Sequence, residues 1–377
     1  MKKSLIALAV MAAAGAASAQ SSVTLFGIVD INYNYIKGDG NGHVSRLTDS
    51  GYNSSRLGFR GTEDLGGGMS ASFWLEAGVN PDNGTGDTTN TNNQVGGAAV
   101  GTVGGQGLVF NRRSTVSLAG NWGEVRLGRD YVPTFWNWTV FDPFGTNGVG
   151  AYTNLAVSAG TGVGGASALL TSTRASNSIG YFLPPNLGGF YGQFMYAMGE
   201  NASNGAAGKD DGRYIGGRLG FASGPFNVAV SYGETKYSAS TVANPTIGGN
   251  YRVANIGGQW DFGMAKLMGQ WGRDEIRTPL NPKQDTYLIG GLIPVGAGEI
   301  RLSWAHANVK TPISAAVDDA DQFAIGYVHN LTKRTALYAT YARVNNKGNG
   351  VAFNNGRATT ELGGSTDGFE LGLRHSF

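Results

Sequence analysis

Arginine is the residue whose placement in this sequence could do chemistry. Arg56 and Arg60 alternate with Leu57 and Phe59, Arg126 stands between Val125 and Leu127, and Arg218 and Arg301 keep similar company. A period of two puts such residues on one face of a strand and their apolar neighbours on the other. A face carrying several guanidiniums can attract, orient or exclude ions without making or breaking a covalent bond. Each of these arginines alone reads equally well as a solvated residue beside a carboxylate, so their clustering on one face is what points to function.

Covalent chemistry finds little support. Cysteine is absent, which removes thiol catalysis, disulfides and thiolate metal sites. His43, His306, His329 and His375 are scattered without metal-ligand spacing, and there is no G-x-S-x-G elbow. The stretch GTGVGG satisfies G-x-G-x-x-G through Gly160, Gly162 and Gly165, but no βαβ unit surrounds it, and 62 glycines make chance matches common. Asp318, Asp319 and Asp321 could hold a divalent cation weakly at a surface loop, and nothing fixes a dedicated metal site. The expectation is a protein with no catalytic residue, no metal and no cofactor.

The elements that would carry the arginines are strands. VTLFGIVDINYNYI sets Val23, Leu25, Val29, Ile31, Tyr33 and Tyr35 against Thr24, Asp30, Asn32 and Asn34. MSASFWLEAGV sets Ala71, Phe73, Leu75 and Ala77 against Ser70, Ser72, Trp74 and Glu76. The same alternation recurs to the last residue, where TDGFELGLRHSF sets Phe369, Leu371, Leu373, His375 and Phe377 against Gly368, Glu370, Gly372, Arg374 and Ser376. A chain ending on an apolar strand needs a pairing partner, because an open apolar edge invites aggregation.

Short turns fall at 64–68, 121–123, 184–189, 222–225, 261–263, 295–298 and 330–334. Longer polar connections fall at about 37–51, 81–107, 135–175, 201–211, 238–249, 277–283, 311–319 and 347–365. Fifteen connections join sixteen strands, with short turns at one rim and long loops at the other. Both chain ends then lie at the short-turn rim, so TDGFELGLRHSF can close the sheet onto VTLFGIVDINYNYI.

MKKSLIALAVMAAAGAASAQ, with Lys2 and Lys3 before an apolar run and then Ala17, Ser18 and Ala19, predicts a signal peptide over residues 1–19 and a single barrel over 20–377. Without its two lysines the chain carries 26 basic and 26 acidic residues, so bulk charge offers nothing to nucleic acid. Aromatics near strand ends, among them Tyr33, Tyr35, Trp122, Tyr131, Phe190, Phe226, Tyr341 and Phe377, match the girdles of a membrane barrel. A large secreted β-sandwich would share the alternation but not those girdles.

The chain resembles the trimeric general porins of Gram-negative β-proteobacteria. The resemblance rests on SSVTLFGIVD at 21–30, SRLGFRGTEDLGGGMSASFWLE at 55–76, NRRSTVSLAGNWGEVRLGRDYVPT at 111–134, GYVHNLTKRTALYATYA at 326–342 and the closing GLRHSF. It implies an all-β fold, a sixteen-stranded antiparallel transmembrane barrel with the third long loop folded into the lumen. It further implies an outer-membrane channel for passive diffusion of small hydrophilic solutes and ions, with anions preferred. The implied constriction has Arg56, Arg112 and Arg174 facing Glu76 and Asp142, with Arg60, Arg113, Arg126, Arg218 and Arg301 as further lumen candidates.

Counting back from Val116 and Leu118, strict alternation turns Arg113 inward and Arg112 outward, whereas a β-bulge before Ser114 would reverse them. The resemblance favours Arg112, with Arg113 as its rival. Phe377 is expected to close the barrel and to signal assembly. Expected partners are two further copies in a homotrimer, outer-membrane lipids and lipopolysaccharide, the barrel-assembly machinery, and the permeating solutes. The competing function is a surface binding protein, an adhesin or phage receptor, that acts through the long loops.

Overall fold

The computed structural model describes residues 22–94, 99–100, 107–156, 171–204, 208–237, 249–277, 281–310 and 318–377; the leader expected at 1–19 and the GTGVGG stretch lie outside them. Sixteen wall strands run in chain order. They begin with β1 (Ser22–Gly38), β2 in two pieces (His43–Asp49 and Arg56–Gly66), β3 (Met69–Asn80), β4 (Arg113–Gly120) and β5 (Gly123–Tyr131). There follow β6 (Arg174–Phe182), β7 (Phe190–Ala197), β8 (Tyr214–Ser223), β9 (Phe226–Tyr237), β10 (Gly249–Asp261) and β11 (Lys266–Arg277). The wall is completed by β12 (Lys283–Val295), β13 (Gly298–Val309), β14 (Ala320–Asn330), β15 (Thr335–Asn346) and β16 (Ser365–Ser376). Each pairs antiparallel with its neighbours, and β1 pairs with β16 from Ile28↔Ser376 to Gly38↔Thr366, closing the cylinder as the terminal alternation required.

Phe377 completes that seam. Its N–H donates to the Gly27 carbonyl at 3.1 Å, and Gly27 N–H returns a bond of 3.2 Å. A Cβ on Gly27 would stand 2.3 Å from the Phe377 ring, so only glycine lets the terminal ring lie flat there.

The two faces of the wall are inverted relative to a soluble protein. Val23 is 65% exposed and Leu371 54%, while Asp30, Asn32 and Glu370 on the opposite parity are almost wholly covered. Closing the sheet gives each strand a hydrogen-bonded neighbour on both sides, and the apolar side chains face outward, as a hydrocarbon layer demands. Among the described residues no helix is long and apolar enough to cross a membrane.

All seven short turns appear where the sequence places them. The first long connection does not. Residues expected as a loop over 37–51 form a turn at 39–42 and then the first piece of β2, whose His43–Asp49 pairs with Lys37–Ile31 of β1. HVSRLTD still alternates, but its outward set is too polar to read as a buried strand. The ladder then breaks. Ile31 pairs with Asp49 and Ile28 with Arg56, so residues 50–55 span a stretch that β1 covers with Val29 and Asp30 alone.

After β5 the chain leaves the wall. Val132 is extended, Pro133 occupies the first turn of α1 (Pro133–Val140), and Pro143 restricts Asp142, so the helix stops before it. A short α2 (Thr153–Ala156) follows. Trp138, Tyr152 and Leu155 are fully buried in one cluster with Tyr251, Val253 and Ile276. The segment is tied to the covered parity of many strands: Asn137 donates to Asn255 at 2.8 Å, Asn154 to Gln322 at 3.2 Å, Tyr152 Oη to the Thr286 carbonyl at 3.2 Å, and Glu370 accepts from Val149 N–H at 3.1 Å. Gly257 on β10 makes room for it, since a Cβ there would stand 2.2 Å from the Phe141 ring.

Candidate functional site

Three arginines converge where β2, β3, β4, β5 and β6 meet near the start of α1. Glu76, on the covered parity of β3, accepts from Arg112 Nε at 2.7 Å and from Arg56 Nη1 at 3.4 Å through Oε1, while Oε2 accepts from Trp74 Nε1 at 3.0 Å. The Tyr131 hydroxyl oxygen accepts from Arg112 at 2.7 Å and from Arg174 at 2.8 Å. Arg56 is further fixed by a 2.9 Å bond from Nε to the Ser54 carbonyl. One carboxylate and one phenol thus hold three guanidiniums together. Charge alone would drive those guanidiniums apart.

The local backbone explains each placement. Arg112 precedes β4, and its N–H donates to the Glu76 carbonyl at 3.1 Å, so it is free of the ladder's alternation. The β3–β4 register then runs from Glu76↔Arg113 to Ser70↔Ala119 without a shift. The one departure from alternation lies at Arg112, whose N–H reaches the carbonyl of the same Glu76 that Arg113 opposes, and the choice between the two arginines dissolves. Arg113 lies on the inner parity, over the Trp74 ring at 4.6 Å and 3.9 Å from Asp130, and Arg112 turns to Glu76 from outside the ladder. Arg174 opens β6 beside a register shift between Ala175 and Ser178, where Asn177 is left-handed at φ 57.

The remaining candidates separate by partner. Among the described residues Asp142 makes no contact with Arg56, Arg112 or Arg174, and the guanidinium whose charge reaches it is Arg301. The Asp142 oxygens accept from the N–H groups of Phe144 (2.9 Å), Thr146 (2.9 Å) and Tyr152 (3.0 Å), so it shapes the turn between the two helices. Burial pushes its carboxyl up to about 6 despite those donors. Arg126 is matched by Glu124 and Asp130, and Arg301 by Glu299. Arg218 donates to Asn137 of α1 at 2.6 Å and lies over the Tyr191 ring, linking the wall to that segment. Arg60 stands nearer the short-turn rim, its guanidinium 5.2 Å and 5.1 Å from the centres of Phe26 and Trp74.

Tyr131 is the participant that sequence reasoning missed. Its parity matched the outer girdle, but the strand ends there and the ring turns to stack on Phe135 at 5.2 Å, with Arg174 4.4 Å above it. The usable signal was its position between a strand of alternating arginines and a Pro-initiated helix. Rings also lie under Arg60, Arg113, Arg126, Arg218 and Arg301. A face of π-electrons holds a guanidinium in place while leaving its positive charge unneutralised.

The Gram-negative porin family matches this chain over residues 5–349. Outer membrane porin protein 32 of Delftia acidovorans is 40% identical, with both chains covered in full, and an outer membrane porin protein of Bordetella pertussis is 29% identical over the same extent. Among solved structures, the anion-selective porin from Comamonas acidovorans superposes with a TM-score of 0.79 at 37% identity, covering 95% of this chain and all of that one. The outer membrane channel DcaP of Acinetobacter baumannii, at 13% identity and a TM-score of 0.62, shares the fold.

Proposed function

The chain belongs to the Gram-negative porin family and forms a channel of the outer membrane, and from that premise we propose that residues 133–156 narrow its lumen and that Arg56, Arg112 and Arg174 select small anions at the narrow zone. The observation that carries the reading is the three-to-one balance: Glu76 is the carboxylate in contact with the cluster, paired with Arg56 and Arg112, while Arg174 is held by the Tyr131 hydroxyl and ring. Arg174 has no ion pair among the described residues, and its buried Nε lacks a hydrogen-bond partner. A solute with carboxylate, phosphate or chloride character gains donors there, while a cation meets net positive charge.

The channel needs no covalent chemistry. A hydrated solute follows its gradient, loses some of its water between the wall and α1, and regains contacts from groups already held in place. Fixed guanidiniums avoid the reorganisation that mobile side chains would require, and a solute that keeps part of its water is held weakly enough for release. That the Comamonas protein is anion-selective agrees with this assignment.

A homotrimer, lipopolysaccharide contact and handling by the assembly machinery belong to the same proposal. Outward-parity charges above the aromatic positions support the glycolipid contact: Lys310 and Arg273 share Asp285, Lys347 meets Asp321, and Arg343 meets Asp367. Such cations suit the phosphates of an outer-leaflet lipid.

Purified protein in a planar bilayer under a potassium chloride gradient tests the selective pore. Stepwise conductance with a reversal potential of chloride sign is expected, shrinking toward zero in Arg56→Ala, Arg112→Ala and Arg174→Ala. A reversal potential of potassium sign, or one indifferent to all three substitutions, refutes the anion assignment.

A further inference from the structure

We propose that the insert 50–55, anchored by Asp30, positions Arg56 and thereby sets the selectivity of the channel, which makes Asp30 a positioning residue. The proposal rests on the reading that Arg56 belongs to the selective zone. Six residues of β2 leave the wall where β1 offers only Val29 and Asp30, so the excess chain must go to one face. The contacts say which. Tyr52 reaches Arg301 and Arg374 at 4.3 Å and 5.1 Å and tilts against Tyr338 at 5.8 Å, all on the inner parity.

Asp30 holds that excursion. It is fully buried, and its Oδ2 accepts from Tyr52 N–H at 2.9 Å and Asn53 N–H at 2.6 Å, while Oδ1 accepts from the Tyr338 hydroxyl at 2.5 Å. Its own backbone exchanges bonds with the Ser55 hydroxyl at 3.0 Å and 3.1 Å. The next links lead outward from the anchor. Ser54 presents its carbonyl to Arg56 Nε and its hydroxyl to Asn147 at 2.7 Å, so the insert touches both the selective arginine and the segment after α1. One buried carboxylate therefore reaches Arg56 through two neighbouring peptide units.

The sign of a charge-neutral substitution separates positioning from plain electrostatics. Removing a lumen carboxylate raises anion preference if the group acts only as a charge. Asp30→Asn also takes an acceptor from either Tyr338 or the two N–H groups, because one amide corner becomes a donor. If the insert positions Arg56, anion preference falls instead. Glu370 supplies the contrast: its Oε1 takes both Val149 N–H and Asn34, and its Oε2 has no partner, so Glu370→Gln removes charge and keeps the contacts.

The experiment is reversal potential in a potassium chloride gradient for wild type, Asp30→Asn, Glu370→Gln, Arg56→Ala and Asp30→Asn with Arg56→Ala. Backbone amide exchange of the folded protein in detergent is measured alongside. Expected are a fall of about twofold or more in the chloride-to-potassium ratio for Asp30→Asn, a rise for Glu370→Gln, no additional fall in the double variant, and faster exchange at Tyr52 and Asn53 with Val149 unchanged. Tyr338→Phe, which keeps all charges, should give a smaller fall in the same direction, and it serves if Asp30→Asn does not fold. A rise or no change for Asp30→Asn, or slow exchange at Asn53, overturns the proposal. Indifference of selectivity to Arg56→Ala removes Arg56 from the selective zone instead, and the exchange data then decide whether Asp30 anchors the insert.

Discussion

Replacing Arg174 by alanine removes the guanidinium least balanced by contacting acid. Arg174 is held by the Tyr131 hydroxyl and ring, and no ion pair opposes its field among the described residues. An ion passing about 6 Å from the lost charge in a water-filled lumen loses roughly 0.7 kcal/mol of attraction, since 332/(εr) is taken with a dielectric near that of water. Chloride loses that attraction while potassium loses an equal repulsion, so the permeability ratio should fall by about tenfold, the equivalent of roughly 1.4 kcal/mol. Screening limits the effect: near 0.1 M salt the Debye length of about 10 Å leaves it visible, and near 1 M, at about 3 Å, most of it should vanish. Reversal potentials at both salt levels, with Arg174→Lys retaining most of the wild-type ratio, check the reasoning. An unchanged ratio in Arg174→Ala at low salt would refute it, as would an effect that survives 1 M salt undiminished.

Three further outcomes follow from the same contacts. Glu76→Gln should raise the chloride-to-potassium ratio in the same assay while weakening the hold on Arg112, because breaking a buried pair costs about 3–5 kcal/mol; the loss should appear as a lower urea midpoint for unfolding in lipid micelles. Asp142, raised from an ordinary 3.8 to about 6, binds its proton more tightly when folded, so its contribution to stability is fully present below about pH 4 and is lost as pH rises through 6, by about 2 kcal/mol between pH 4 and 6. Urea midpoints across that range should flatten in Asp142→Asn. Gly27→Val would drive a branched side chain into the Phe377 ring and the Arg56 carbonyl, 2.3 Å and 2.8 Å from the added Cβ, so refolding into micelles should yield much less of the heat-modifiable folded form on gels.

The barrel itself was legible because its signals are local. Alternation in VTLFGIVDINYNYI and TDGFELGLRHSF marks strands, glycine-rich turns mark hairpins, and counting both gives sixteen strands and a closed seam without reference to any contact. Inward arginines followed from the same parity, as did Glu76 and Trp74. Each of these is a property of a few neighbouring residues, and a strand's period of two transmits it faithfully.

What the tertiary structure decided lies where the chain leaves the ladder. Arg112 stands one residue before β4, Tyr131 ends β5, Arg174 opens β6 beside a register shift, and residues 50–55 depart from β2. Parity has no authority at such positions, because side-chain direction there is set by which distant groups the freed backbone and rings can reach. Glu76 draws in Arg112, Tyr131 turns to bridge two arginines, and Asp142 satisfies its own loop's N–H groups in place of opposing them. The sequence by itself determined the wall and its two faces; only the closed fold, by bringing five strands and a helix to one place, decided which charges meet.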